Sequence, residues 1–421
     1  MSSLTKVSES LLSDLIDKNN INYTHHKSIT VKTSHIFKQL FKELTDAQGV
    51  LIKEVKPNKI TLIKTVAQIS KPVSFLAGDF PGEVTNHIHK YSKYEISYTF
   101  SLLKRIIKVY FVDEQQQPLE YYSNSMKRML LWFYLLSYHS SETCSKTISV
   151  FIYLTSLKKE LPDHHSIAIN QTHANTGFTR TCISNSEIII YRKEEWFKVF
   201  LHESMHNFGL DFSNMNIDHV NKQILQLYPG VTSEVTLFEA YTEFWAEILN
   251  VVICSFTMSK TYKDYLHHCD FFINCERNFG IAQLVKILKH MDLKYSDIIQ
   301  VDEDVGDVGD VGERTSNSFS SSVSSSSSKS KYKEETNVLS YYIVKNVLLN
   351  NFQDFLIWCE KNNTKLIQFK SDETHLQLFF QFIERNYKSP SMLKMIKHVE
   401  QLKEQPTSTN KKNMRMTCLE I

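Results

Sequence analysis

The chain has 421 residues, with 48 basic and 46 acidic side chains and a net charge of +2. This length allows a large buried core, and the balanced charge, without a basic stripe interleaved with aromatic residues, argues against a nucleic-acid-binding protein. The 26 Phe and 20 Tyr residues favour a packed globular protein over a disordered one.

Neither a secretory signal nor a membrane span is predicted. The first residues lack the basic-then-apolar pattern of a signal peptide, and the longest apolar run, around "MLLWFYLLSY", is too short to cross a bilayer. The seven cysteines are scattered and form no CxxC pair, which is typical of reduced thiols and not of a disulfide framework. We therefore expect a soluble, intracellular protein that does not bind membranes.

Residues 1–95 mix helical and alternating segments and contain no motif that indicates a role. From about residue 96 the pattern becomes clearer: "YEISYTFSLLKRIIKVYFV" is typical of paired strands, "SMKRMLLWFYLLSY" of a helix, and "KTISVFIYLTSL" and "SEIIIYR" of strands. Two helices are predicted next, in "EWFKVFLHESMHNFGLDF" at 195–212 and "VTLFEAYTEFWAEILNVVICSF" at 235–256. Gly209 lies where a C-cap of the first helix is expected.

The chain after residue 301 divides into two parts. Residues 302–336 contain a short Asp-Val-Gly repeat and a serine tract, which predict a disordered linker or insertion. Helical sequence resumes in 337–421, so we expect a helical C-terminal part that packs on a core formed by 96–301.

The sequence His202-Glu203-Ser204-Met205-His206 is an HExxH motif. On a helix, residues i and i+4 lie on the same face, so both imidazoles can hold one metal ion. Glu203 flanks that face and can take a proton from a water that zinc activates. Because HExxH also arises by chance, the motif alone is moderate support for a metal site.

The second helix strengthens the metal hypothesis. Glu239, Glu243 and Glu247 lie at i, i+4 and i+8, along one stripe of an otherwise apolar helix. The stripe is either the solvated face of an amphipathic helix or a ligand set, in which one Glu binds metal and another fixes a ligating histidine. Spacing alone does not decide between Glu239 and Glu243 as the ligand.

This combination resembles the gluzincin metallopeptidases, the thermolysin-like branch of the zincins. The resemblance implies an α+β fold in which a zincin-like catalytic domain combines a small mixed sheet with a metal-binding helix and a glutamate helix. It also implies one Zn²⁺ per chain, held by His202, His206 and Glu239, with Glu203 as general base and Glu243 orienting a ligand. Many gluzincins have Asp at the position of Glu243, so the chain departs from the family pattern there.

The metzincin branch fits less well, because Phe212 lies where its third histidine is required. The segments "NTGFT", "EWFKVFLHESMHNFGLDF" and "EAYTEFWAEILN" also resemble zincin-like proteins of large DNA viruses, from about residue 95 to the end of the chain. That resemblance implies a location in the host cytoplasm or the virion. By analogy with zincins, "NTGFTRTC" at 175–182 or "SEIIIYR" could be an edge strand that aligns a peptide.

The function that the sequence favours is a zinc-dependent peptidase acting on a peptide or protein substrate. Two alternatives remain open: a catalytically inactive zincin-like protein that binds metal or a partner, and an interaction protein with a fortuitous motif. The presence of Glu203 argues against the inactive scaffold, since metal binding alone does not need it. No residue is identifiable as the donor that stabilises an oxyanion.

Overall fold

The structure is a computed structural model, and it describes residues 4–17, 26–50, 57–76, 80–300, 332–402 and 412–421. The described chain is α+β, with a helical C-terminal part, as predicted. Its α-helices are α1 (Lys6–Asp17), α2 (Val31–Val50), α3 (Val73–Leu76), α4 (Gly82–Tyr91), α5 (Leu119–His139), α6 (Gln171–Ala174), α7 (Trp196–Asn207), α8 (Asp218–Leu227), α9 (Leu237–Met258), α10 (Tyr262–His290), α11 (Lys345–Asn350), α12 (Phe352–Asn362), α13 (Glu373–Asn386) and α14 (Pro390–Gln401). Short 3₁₀ turns occupy Val66–Gln68 and Tyr295–Asp297, and a π-helical turn spans Leu339–Val344.

The strands form one mixed sheet in the order β1-β2-β3-β4-β6-β5. β3 pairs in parallel with β4, and β4 with β6, while the other three pairings are antiparallel. β5 therefore lies at one edge of the sheet and belongs to "NTGFTRTC", one of the two segments that we considered as an edge. The other, "SEIIIYR", forms β6, which is paired on both sides. The strands are β1 (Lys59–Leu62), β2 (Tyr94–Leu102), β3 (Arg105–Asp113), β4 (Thr147–Leu154), β5 (Gly177–Thr179) and β6 (Asn185–Ile190).

Alternation of side chains along the strands supplies two apolar faces. Ile188 and Ile190 of β6 face the large core that contains α5, α7 and α9, whereas Ile189 between them faces a smaller cluster with Phe80 and Ile88. This two-fold period is the expected consequence of a pleated strand buried on both sides. The sheet thus separates α7, which carries the HExxH motif, from α4 on the opposite face.

The N-terminal segments share the sheet and core of the remaining chain. β1 pairs with β2, and α2 packs against α5, α9 and α12. The role that we left open for residues 1–95 therefore includes, in its described part, completion of the sheet and of the main core.

The predicted linker, 302–336, lies outside the described residues except for its end. Residues 332–336 pack on the core: Tyr332 is buried, and Glu334 forms a β-bridge with Ile169 and accepts a hydrogen bond from the Leu339 backbone N–H. The packed chain therefore resumes before residue 337, because an aromatic ring and a carboxylate in the serine-rich region find partners. None of the helices in the described part of the chain is both long enough and apolar enough to cross a bilayer.

Candidate metal centre

Helix α7 is enclosed between the sheet and helix α9. Every residue from Trp196 to Asn207 is buried, and the helix packs on β5, β6 and α9. The histidines of the motif therefore lie inside the protein, with 6% and 8% of the surface of His202 and His206 exposed. Polar side chains in such a position require polar partners or a bound ion.

The two ends of α7 are fixed in different ways. At the start, the Glu195 carboxylate accepts hydrogen bonds from the backbone N–H groups of Met416 and Thr417, at 2.7 and 2.6 Å, so it binds the C-terminal segment and does not cap its own helix. At the end, Gly209 adopts a left-handed conformation with φ of 65°, which ends the helix as its position in the sequence predicts.

Three ligand atoms converge beside α7. The His202 Nε2 and His206 Nε2 atoms lie 3.1 Å apart, and Glu239 Oε2 lies 3.0 Å from the first and 3.3 Å from the second. Zinc–nitrogen bonds of about 2.05 Å in a tetrahedral site place neighbouring ligand atoms about 3.3 Å apart. The triangle therefore fits a tetrahedral divalent ion with one position left for water or substrate. These residues could hold a metal ion.

The opposite nitrogen of each imidazole is bound to a carboxylate. His202 Nδ1 lies 2.9 Å from Glu243 Oε2, and His206 Nδ1 forms a hydrogen bond with Asp211. A carboxylate at Nδ1 fixes the proton there and leaves the Nε2 lone pair free for a metal, which is the usual arrangement around metal-binding histidines. Geometry thus places Glu239 with the ligand atoms and Glu243 behind one of the histidines.

The site carries an excess of negative charge that favours a cation. Burial alone would lower the pKa of His202, but its hydrogen bonds to Glu239 and Glu243 raise it. Burial likewise opposes protonation of His206, yet the charge of Asp211 raises its pKa well above the ordinary value. Burial would raise the pKa of Glu239, but the two imidazoles hold it far below its usual range. A divalent cation would supply the positive charge that protons supply here.

Glu203 lies in a small cavity that adjoins these ligands. Burial raises the pKa of its carboxyl group, which brings it closer to that of an effective general base near neutral pH. Gly177, the first residue of β5, lies against it: a Cβ atom at Gly177 would lie 3.2 Å from Glu203 Cγ and only 2.6 Å from the Ile189 carbonyl oxygen. A side chain at Gly177 would clash with the β6 backbone and press on side chains of α7, so the glycine lets β5 lie close to both.

Tyr341, which the sequence did not indicate, lines the same cavity. It belongs to the π-helical turn, and its ring centroid lies 5.9 Å from that of His202. Burial raises the pKa of its hydroxyl well above the ordinary value, so at neutral pH the group remains a hydrogen-bond donor. π-helical turns within helices often occur at functional sites, because they redirect one side chain.

The glutamate stripe of α9 is not a solvated face. Glu243 and Glu247 are each 1% exposed, and each has a buried lysine as its partner: Lys198 binds Glu243, and Lys345 binds Glu247. The alternative that the stripe is a solvated face is therefore wrong. The sequence could not exclude it, because neither lysine is near its partner in sequence.

Comparison of the chain with protein-family models, with curated proteins and with solved structures gives no significant match. Arguments about function therefore depend on the geometry of this site.

One cysteine pair contradicts the expectation of reduced thiols. Cys144 and Cys182 form a disulfide, and the five other cysteines are free and buried. The pair is separated by 38 residues, and only the folding of "TRTC" against the loop before β4 brings it together. Both sulfurs lie beside Gly209, at the end of α7.

We expect the Cys144→Ser/Cys182→Ser protein to lose about 4 kcal/mol of unfolding free energy, since a crosslink closing a loop of this length restricts the unfolded chain. Urea denaturation with and without dithiothreitol measures the difference. Reductant should destabilise wild type and leave the double variant unchanged. Equal stability of all four samples would contradict the prediction.

Proposed function

We propose that the protein is a zinc-dependent metallopeptidase of the zincin type. The observation that carries the proposal is the tetrahedral spacing of His202 Nε2, His206 Nε2 and Glu239 Oε2, each imidazole having its second nitrogen bound to a carboxylate. Two imidazoles and one carboxylate with an open position are the ligand set of thermolysin-like zinc enzymes.

Each polar group around the ligands has a distinct role in this proposal. Zinc would lower the pKa of a water and polarise the carbonyl of the scissile bond. Glu203 takes the proton of the attacking water and passes it to the leaving amine. The Tyr341 hydroxyl donates a hydrogen bond to the carbonyl oxygen as negative charge develops on it.

The edge of the sheet supports a peptide as the substrate. β5 pairs with β6 on one side, and its start at Gly177 lies directly against Glu203. An extended peptide that added to this edge would gain main-chain hydrogen bonds and present its carbonyl groups towards the α7 histidines. The approach of glycine to the general base thus favours an extended main chain over a compact small molecule.

Cleavage of a complex peptide mixture tests the proposal. Zinc-loaded protein is incubated with a library of peptides from a digested proteome, and new termini are identified by mass spectrometry. We expect cleavage that a chelator abolishes and that stoichiometric zinc restores. A protein that holds zinc at the His202–His206–Glu239 site and leaves the library intact would contradict the peptidase assignment and favour a zincin-like binding protein.

A further inference from the structure

We propose that Lys198 is a positioning residue of the metal centre: by anchoring the Glu243 carboxylate, it sets the orientation of His202 and so the strength of metal binding. The inference rests on the proposed function only as far as the metal site, and it does not require peptidase activity. The proposal places a buried cation, Lys198, behind the imidazoles and carboxylates that surround the metal position.

The geometry is a continuous chain of contacts. Lys198 precedes His202 by four residues on α7, so both side chains lie on the same face of the helix. The Lys198 ammonium forms an ion pair with Glu243 Oε1, and the other oxygen of that carboxylate, Oε2, lies 2.9 Å from His202 Nδ1. Glu243 therefore connects the ammonium to the imidazole, whose Nε2 faces the metal position.

Burial holds the Lys198–Glu243–His202 contacts in one arrangement. The side chains of Lys198 and Glu243 are 2% and 1% exposed, so solvent cannot replace either partner. Met416 closes the site from the C-terminal segment, with its sulfur 3.5 Å from the Lys198 ammonium. An unpaired carboxylate in this environment is strongly unfavourable, so without the lysine the Glu243 side chain would turn towards another partner. That change removes the acceptor that fixes His202.

A second ion pair, which also involves a glutamate of α9, provides a matched control. Lys345 binds Glu247, one turn further along α9, and both side chains are 1% exposed. Both pairs join a buried lysine to a buried glutamate, but the described contacts of Glu247 include neither histidine of the motif. A purely structural role of Lys198 predicts the same behaviour for both lysines, whereas a positioning role predicts that only Lys198 affects the metal.

The experiment compares Lys198→Met with Lys345→Met in the full chain. Zinc affinity is measured by competition with a chromophoric chelator, and unfolding of the metal-free proteins is followed by circular dichroism. We expect both variants to be less stable, and only Lys198→Met to lose zinc affinity, by about 10- to 100-fold, the usual effect of removing the support of a ligating histidine. Lys198→Arg should retain most of the affinity, because it keeps a cation beside Glu243.

A charge-neutral variant keeps the test decisive if Lys198→Met does not fold. Lys198→Met/Glu243→Gln buries no unpaired charge, and its zinc affinity should equal that of Glu243→Gln alone, because both changes act through the same contact. The proposal is overturned if Lys198→Met binds zinc as tightly as wild type, if Lys345→Met weakens zinc binding equally, or if Lys198→Met/Glu243→Gln binds zinc more weakly than Glu243→Gln. Since no substrate is present, failure of the peptidase assignment would not affect the result.

Discussion

The His202→Ala/His206→Ala protein is expected to bind no zinc, whereas wild type should bind about one zinc per chain. The two substitutions remove two of the three grouped atoms that could bind the metal ion. Zinc sites contribute about 10 kcal/mol or more of binding free energy, and the single carboxylate of Glu239 cannot retain a useful part of it. Elemental analysis after zinc loading and desalting measures the stoichiometry.

A second histidine pair provides the control for that measurement. His164 and His165 are adjacent and exposed, and they lie outside the triangle of ligand atoms. The His164→Ala/His165→Ala protein should therefore bind zinc as wild type does. Retention of one zinc by the His202→Ala/His206→Ala protein would locate the metal elsewhere. A folded wild-type protein that takes up no zinc would remove the basis of the peptidase proposal.

Much of the architecture was predictable because it depends on local periodicity. The segment "YEISYTFSLLKRIIKVYFV" forms the β2–β3 hairpin, and the two motif segments form α7 and α9. His202 and His206 meet because a helix brings i and i+4 together wherever it lies. The i, i+4 relation of Glu239 and Glu243 likewise places them on one stripe, although only the packing of α9 on α7 brings Glu239 beside both imidazoles and Glu243 behind one of them.

The remaining site residues depend on contacts between distant segments, for which a single sequence gives no periodic pattern. Asp211 lies five residues after His206, and only the left-handed turn at Gly209 brings it back to the imidazole. Tyr341 enters from the π-helical turn beyond the serine tract, and Lys198 lies on α7 itself but has its partner on α9. Among these residues, Lys198 was the easiest to infer from the sequence, because it lies four residues before His202 and so shares its helical face.

The same distinction explains one alternative and one expectation that the structure contradicts. The glutamate stripe appeared capable of facing solvent because its lysine partners are absent from the neighbouring sequence. The Cys144–Cys182 disulfide was not expected because its residues follow no paired spacing and are 38 residues apart in the chain. In both cases the decisive partner is supplied by tertiary packing, which local composition does not encode.

Glu203→Gln should abolish most of the hydrolytic activity while leaving the metal in place. The amide has nearly the same size as the carboxylate but cannot accept a proton from water, and a positioned general base contributes about 10²- to 10⁴-fold to the rate. Because Glu203 is not among the three grouped ligands, the variant should hold as much zinc as wild type. Burial raises the pKa of Glu203, so a neutral residue removes a desolvation cost, and the metal-free variant should be at least as stable as wild type.

The measurement is the cleavage rate of one peptide identified in the library, with zinc content determined on the same sample and the exposed Glu120→Gln as control. A Glu203→Gln protein with full zinc and a rate within tenfold of wild type would show that another group takes the proton, whereas loss of zinc together with activity would place Glu203 among the ligands. Only retention of zinc with loss of turnover separates proton transfer from metal binding, and that separation distinguishes a peptidase from a zincin-like scaffold.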